Sequence, residues 1–326
     1  MEPLTQTSIL PIQDPSQVSM ARRVANEFAH IAGLDEMRMS AVNIVTVELA
    51  NNLLQHAGNG HLYITYLQPT GSLEITAVDH GQGMISIERC LTDGYSTAST
   101  PGLGLGAIQR FSTRFSAFSI PRRATIVSAR MSEQKKDPDF HAVCTAMHGE
   151  TISGDCWSVS EDGRTFLVAD GLGHGIFAAE ASKTAVSIFQ KNQTSSPTVI
   201  MEKMHAGMRA TRGAAAAVAQ IHPESRTIEF AGVGNITSML LNPGGTQNLV
   251  SHNGTLGHQT RRVQQFSYRY QPRDLLLMLS DGLRTHSKLG IPPTLLAQSP
   301  SVVATMLYAE QVRGTDDATL LVTRLG

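Results

Sequence analysis

An α/β (α+β) protein of two domains is predicted from three observations: the chain length, a change of pattern near the middle, and a charged polar segment at that change. The 326 residues exceed what one hydrophobic core ordinarily organises, and about 150 residues per domain gives two domains. The first half reads helices, hairpin, glycine loop, helix, strands, which fits an α/β sandwich on one antiparallel or mixed sheet. The second half reads strands, two helices, strands again, which fits packed sheets with helices outside. Between them, residues 132–139 (Ser-Glu-Gln-Lys-Lys-Asp-Pro-Asp) form the best linker candidate. The expected division is therefore 1–131, a 132–139 linker, and 140–326.

Each element follows from its spacing. Val18, Ala21, Val24, Ala25 and Phe28 recur at three- and four-residue steps, as do Val42, Val45, Leu49, Leu53 and Leu54, so 16–57 is helical. Residues 61–67 and 73–79 are strands separated by a Gln68-Pro69-Thr70-Gly71-Ser72 turn. A glycine cluster at Gly102, Gly104 and Gly106 opens a helical run to Phe111, and strands follow over 114–120 and 124–131. Beyond the linker, strands are predicted over 140–147, 156–160 and 165–169, and helices over about 174–190 and 197–209. Four or five further strands, a helix near 301–311 and a last strand over 319–324 complete the chain. Ala214–Ala217 reads as a small-residue strand, Trp157 as core, and Met201, Met204 and Met208 as packing at helical spacing.

Composition narrows the class. Apolar residues make up 41% and charged residues 16%, which is globular rather than disordered. A net charge of −1 argues against a broad basic field for nucleic acid. No apolar run approaches the ~18 residues needed to span a bilayer, and the first residues lack the basic and apolar regions of a secretory signal. Three cysteines without a CxxC pair read as reduced thiols, so a cytoplasmic protein is expected.

Glu48, Asn52 and His56 lie at steps of four, so on one helix they share a face. An Asn51-Asn52 pair inside a helix opposes propensity without evident gain, and local rules are most often broken where function demands it. Asp79 ends an apolar strand and enters Asp-His-Gly-Gln-Gly, where Gly81 and Gly83 let a planar ligand approach the backbone. Gly102-Leu103-Gly104-Leu105-Gly106 leads into a helix whose free N–H groups suit phosphate.

This ordered trio resembles the GHKL (Bergerat-fold) ATPases, with Glu48–His56 matching the N box and the two glycine segments matching the glycine boxes. Within that family, 91–106 is most similar to the small anti-sigma and switch serine kinases of bacterial partner switching. The resemblance implies ATP with Mg²⁺: Asn52 as the Mg²⁺ ligand, Asp79 on the adenine amine, Gly81 and Gly83 beside it, and Gly102, Leu103, Gly104, Leu105 and Gly106 around the phosphates. Glu48 is implied as the base if phosphoryl transfer to a protein serine occurs.

In the second half, aspartates occupy turns adjoining apolar strands: Asp155, Asp170 followed by Gly171, Asp281 followed by Gly282, and Asp316-Asp317 before 318–322. Carboxylates at buried strand ends face desolvation unless something positive meets them. Oxygen-only donors favour Mg²⁺ or Mn²⁺. Residues 153–157, 168–175, 230–235, 279–283 and 316–322 together resemble the PPM-type phosphatases, closest to their SpoIIE-type bacterial serine phosphatases. That resemblance implies a PPM-type β-sandwich flanked by helices and a two-metal site. Asp170 would bridge both ions with help from the Gly171 carbonyl, Asp281 and Asp316 would hold one ion, and Asp155 the other. Asp170 and Asp281 are thereby implied in catalysis; Asp316 is preferred to Asp317 by motif position alone. No counterpart of the basic phosphate-gripping residue of eukaryotic relatives is identifiable, and His174 reads as structural before catalytic.

Together the two resemblances imply a metal-dependent protein serine/threonine phosphatase carrying an ATP-binding regulatory or kinase module, acting on a phosphorylated STAS-domain (anti-anti-sigma) partner. The alternatives are a bifunctional serine kinase/phosphatase and a non-catalytic ATP-binding switch.

Overall fold

The computed structural model describes residues 7–91, 104–133, 139–260, 262–284 and 291–326. The chain divides into two compact units, Met1–Asp137 with Ser301–Met306, and Pro138–Pro300 with Leu307–Gly326. Most of the expected linker lies outside the described residues.

In the first unit, strand β1 (Thr7–Ile12) precedes helices α1 (Pro15–Ile31) and α2 (Glu36–Asn52). Asp14 caps α1 by accepting from the Ser16 N–H at 2.8 Å, while Gln17 Oε1 accepts from the Asp14 N–H at 3.1 Å. The two form a reciprocal capping box, and Pro15 stands in the first turn, where no N–H is missed. Asp35 caps α2 by accepting from the Arg38 N–H. The hairpin of β2 (Gly60–Leu67) and β3 (Ser72–Asp79) follows, then a short helix α3 (Ile87–Cys90), α4 (Gly104–Phe111), β4 (Arg114–Ile120) and β5 (Ala124–Met131).

The sheet order is β1-β2-β3-β5-β4, antiparallel throughout. Val42, Val45 and Leu49 of α2 join Phe28 of α1 and Ile108 of α4 against Leu62, Ile64, Ile75, Val127 and Ala129 of the sheet. Strand β1 lies outside the elements predicted from the sequence, and it carries Pro11. The proline is tolerated because β1 is an edge strand that needs to donate on one side only.

Alternate sheet residues carry a buried polar ladder. Ser128 Oγ donates to Glu74 Oε1 at 2.7 Å, Arg130 Nη2 meets Glu74 Oε2 at 2.6 Å, and Thr76 bonds Ser128. Breaking a buried pair from one side leaves a charge uncompensated. Glu74→Ala is therefore expected to cost this unit about 3–5 kcal/mol, read as lost hydrogen-exchange protection in β3 and β5. The apolar pair Glu74→Leu with Arg130→Met is expected to restore most of it.

The second unit contains two antiparallel five-stranded sheets. One is ordered β13-β10-β9-β8-β7, from β7 (Asp155–Val159), β8 (Thr165–Gly171), β9 (Ala214–His222), β10 (Thr227–Val233) and β13 (Phe266–Arg269). The other is ordered β12-β11-β14-β15-β6, from β6 (Phe140–Thr145), β11 (Thr237–Asn242), β12 (Gly245–Leu249), β14 (Leu275–Leu279) and β15 (Ala318–Arg324). Phe140 of β6 packs edge-on against Trp157 and Phe166 of β7 and β8, so the tryptophan lies between the sheets. Helices α5 (Ile176–Gln190) and α6 (Pro197–Gly207) cover the outer face of the first sheet, where Phe189, Met201, Met204 and Met208 meet Leu167, Ala216 and Val218. Ala214 and Ala216 of β9 belong to the same cluster, whereas Ala215 lies in the cleft lining with Gly234. Two further helices, α7 (Pro293–Leu296) and α8 (Pro300–Gln311), precede β15. Among the described residues no helix is long and apolar enough to cross a membrane.

Candidate active site

The second unit gathers its aspartates at one end of the sandwich. Asp155 opens β7 and Asp170 sits near the end of β8, and antiparallel register sets them opposite each other. Asp281 follows β14 and Asp316-Asp317 precede β15, two neighbouring strands of the other sheet. Asp170, Asp281 and Asp316 line a cleft of about 550 Å³ together with Gly173, His174, Asn235, Thr255 and Thr315.

The two strand–Asp–Gly turns require glycine for the same reason. A β-carbon at Gly171 would lie 2.0 Å from the Ala178 carbonyl oxygen, and one at Gly282 would lie 2.0 Å from that of Asp317. Each turn lets the chain pass flush against a neighbouring backbone and so aims the preceding carboxylate.

Asp155 is buried and accepts from Ser280 Oγ at 2.6 Å, a bond that ties the first sheet to the second. Burial is the largest cause pushing it up to about 7, with Asp317 and Asp281 adding repulsion and Ser280 and Thr319 opposing. Burial also leads in pushing Asp170 up to about 9, followed by the charges of Asp155, Asp281, Asp316 and Asp317. Asp316 and Asp317 differ sharply. The Asp317 carboxylate is buried and accepts from the Met147 and Gly154 N–H groups, both at 2.8 Å, whereas Asp316 is exposed to the cleft. Gly171 does not line the cleft; its N–H donates to the Gly154 carbonyl at 3.1 Å. His174 Nδ1 stands 3.0 Å from Glu150 Oε1. Asn235 escaped the sequence argument as a site residue; its Nδ2 donates to Asp281 Oδ2 at 2.6 Å and holds that carboxylate from a different strand connection.

The donor set suits a hard divalent ion: carboxylates held near one another with no internal cation among the cleft-lining residues. Among the described residues, no three His, Cys, Asp or Glu side chains stand close enough together to hold a metal ion by themselves.

In the first unit, Glu48 and Asn52 lie on the last turns of α2 and face the start of α4. A β-carbon at Gly104 would lie 3.0 Å from Glu48 Oε2 and 3.3 Å from Asn52 Oδ1. The expected shared face stops there. Leu53–Ala57 winds as a π-helical turn, and its wider spacing takes His56 off the four-residue register. Asp79 Oδ1 accepts from the Gly81 N–H at 2.8 Å, and a β-carbon at Gly81 would meet Ala57 at 3.0 Å. Burial pushes the Asp79 carboxyl up, against the Gly81 N–H, His80 and His56. Gly83 has φ +80° beside Pro121. Leu105 turns into the core, leaving only its backbone for a ligand, and Gly106 is buried. Gly102 and Leu103 lie outside the described residues.

Residues 160–326 match the family model described as stage II sporulation protein E (SpoIIE), just over half of the chain. The chain belongs to the SpoIIE family. Its SpoIIE unit is a PPM-type protein serine/threonine phosphatase domain, and residues 12–131 match a histidine kinase-like ATPase domain. The chain is 26% identical over 185 residues to the phosphoserine phosphatase RsbX of Bacillus subtilis (strain 168), covering 54% of this chain and 89% of that protein. It is 27% identical over 128 residues to the serine/threonine-protein kinase RsbT of the same organism, covering 39% and 96% respectively. The fold of the SpoIIE unit is shared with a crystal structure of RsbX in complex with magnesium, with a TM-score of 0.51 at 24% identity, covering 57% of this chain and 94% of that one.

A test of the SpoIIE unit follows from its crowded turns. Gly282→Ala is expected to push the Asp281 turn away from Asp317 and to lower kcat/KM on a phosphoserine peptide by about 100-fold, the order of loss that a 1 Å misplacement can cause. The unit should remain folded by circular dichroism.

Proposed function

We propose that this protein removes phosphate from serine or threonine of a phosphorylated regulatory protein, and that its ATPase-like unit binds ATP with Mg²⁺. The observation that carries the first part is Asp170, which lines the cleft beside Asp281 and Asp316 and is held in repulsion with four other carboxylates. Such crowding fits a site completed by Mn²⁺ or Mg²⁺. Two divalent ions there would bind the phosphate and make hydroxide available at neutral pH. Asp170, with Asp281 and Asp316 beside it in the cleft and Asp155 opposite it in the strand register, would hold the ions. The hydrogen bonds Asp317 makes to Met147 and Gly154 support Asp316 as the ligand. Asn235 and Ser280 keep Asp281 and Asp155 in place.

Relatives support the partner class. RsbX is a phosphoserine phosphatase and RsbT a serine/threonine kinase, and they match successive parts of one chain. The proposed substrate is a phosphorylated STAS-domain, anti-anti-sigma protein in a cytoplasmic partner-switching circuit. A second reading is favoured by Glu48 and Asn52 at the mouth of α4: the first unit phosphorylates the partner that the second dephosphorylates.

Incubating the full chain with a phosphoserine-bearing STAS protein and Mn²⁺, Mg²⁺ or EDTA tests the first reading. Metal-dependent phosphate release is expected, and none with either ion overturns it. Adding γ-labelled ATP to unphosphorylated partner tests the second, where label on serine supports a kinase and its absence leaves a binding module.

A further inference from the structure

The cleft as described has carboxylates but no lysine or arginine along its lining, yet its substrate is a dianion. We infer that Arg212 is the substrate-binding cation of this site, gripping the phosphate of the phosphoserine side chain as it enters; this rests on the phosphatase reading of the cleft. No sequence motif singles Arg212 out, since it lies far along the chain from the aspartates.

Strand pairing brings it to them. Asp170 of β8 is in register with Ala215 of β9, and the turn leading into β9 carries Arg212. The Leu172 N–H donates to the Gly213 carbonyl at 2.9 Å, which joins that turn to the loop after Asp170. Arg212 Nη1 lies 3.1 Å from where a β-carbon on the cleft-lining Gly173 would stand. Any larger residue at 173 would take the space the guanidinium uses.

The turn is held firmly. Thr211 Oγ1 donates to the Met208 carbonyl at 2.7 Å and accepts from the Gly213 N–H at 3.0 Å, while His258 Nε2 meets the Thr211 carbonyl at 3.1 Å. The guanidinium itself stacks on Phe177, with Cζ 4.9 Å from the ring centroid. It has no hydrogen bond or ion pair among the described residues, so its donors are open to a ligand. By contrast, the one imidazole in the cleft lining, His174, already faces Glu150. An arginine fixed through one face and unpaired along its edge suits bidentate contact with phosphate oxygens. Phe177 beneath it is exposed, as is Leu172, whose N–H joins the same turn, giving the flanking residues of a protein substrate an apolar rest.

The test compares the Mn²⁺-loaded full chain with Arg212→Ala and Arg212→Lys. Arg212→Ala is expected to raise KM for a phosphoserine peptide, and the inhibition constant of inorganic phosphate, at least about tenfold, one charge-assisted contact's worth. Its kcat should stay within about threefold and its Mn²⁺ dependence should not move. Arg212→Lys should recover part of the loss, because it keeps the charge but not the fork. Unchanged KM and inhibition constant with a lower melting temperature would assign Arg212 to packing alone and overturn the inference. Should the parent chain release no phosphate, the phosphatase reading fails separately. Calorimetric titration of the same Mn²⁺-loaded proteins with inorganic phosphate then decides: weaker binding by Arg212→Ala supports the assignment, and equal or absent binding in both overturns it.

Discussion

Replacing Asp170 by asparagine is expected to lower phosphate release about 100- to 1,000-fold while making the metal-free protein more stable. Removing a centre of charge stabilisation for a transferring phosphoryl group costs on the order of 10²–10³ in kcat, and Asp170 is the carboxylate that its neighbours crowd most. The stability effect has the opposite sign. Burial and like charge raise the folded-state pKa of Asp170 from the ordinary 3.8 to about 9. Between those values the folded chain holds a proton that the unfolded chain has lost, so stability falls as pH rises through this window. Asparagine removes the titration. In EDTA, the variant and its parent should melt at similar temperatures near pH 4, and the variant should melt higher at pH 8. A variant that melts lower at pH 8 would mean that Asp170 has a stabilising partner in the metal-free protein.

Asp79→Asn is expected to weaken ATP binding by about 10- to 100-fold, the value of one hydrogen bond to a charged group. The amide can still accept from the Gly81 N–H, so the turn into Gly83 should persist. Titration with a fluorescent ATP analogue reads the loss, and phosphate release measured without nucleotide is the control expected to remain unchanged. An unaltered affinity would remove Asp79 from the nucleotide site and place its burial in the service of the turn alone.

What was legible from the chain depended on whether the cause was local. Apolar periodicity and glycine placement are local, and they located α2, the β2–β3 hairpin, α5 and the two Asp-Gly turns. The edge strand β1 was hidden, and Pro11 is compatible with a strand only where its N–H side has no neighbour. The π turn after Asn52 was equally hidden, since four-residue steps continue through it in sequence but not in space. Motif position favoured Asp316 over Asp317, while the reason Asp317 is occupied lies with the N–H groups of Met147 and Gly154, about 170 residues away. Asn235 and Arg212 were invisible as site residues for the same reason: each reaches its neighbours through strand pairing, which no linear spacing encodes.

The Asp155–Ser280 bond and the position of the aspartates carry a mechanical consequence. Asp155 and Asp170 belong to one sheet, while Asp281 and Asp316 flank strands of the other, so their mutual repulsion acts across the seam of the sandwich. Without a countercharge that repulsion is relieved by protons, burial and like charge pushing Asp170 up to about 9 and Asp155 up to about 7. A divalent ion shared between the sheets would take the place of those protons and clasp the seam. Whatever tightens or loosens the seam then also sets how readily the ion is held, so catalytic readiness and the closure of the sandwich are two readings of one equilibrium.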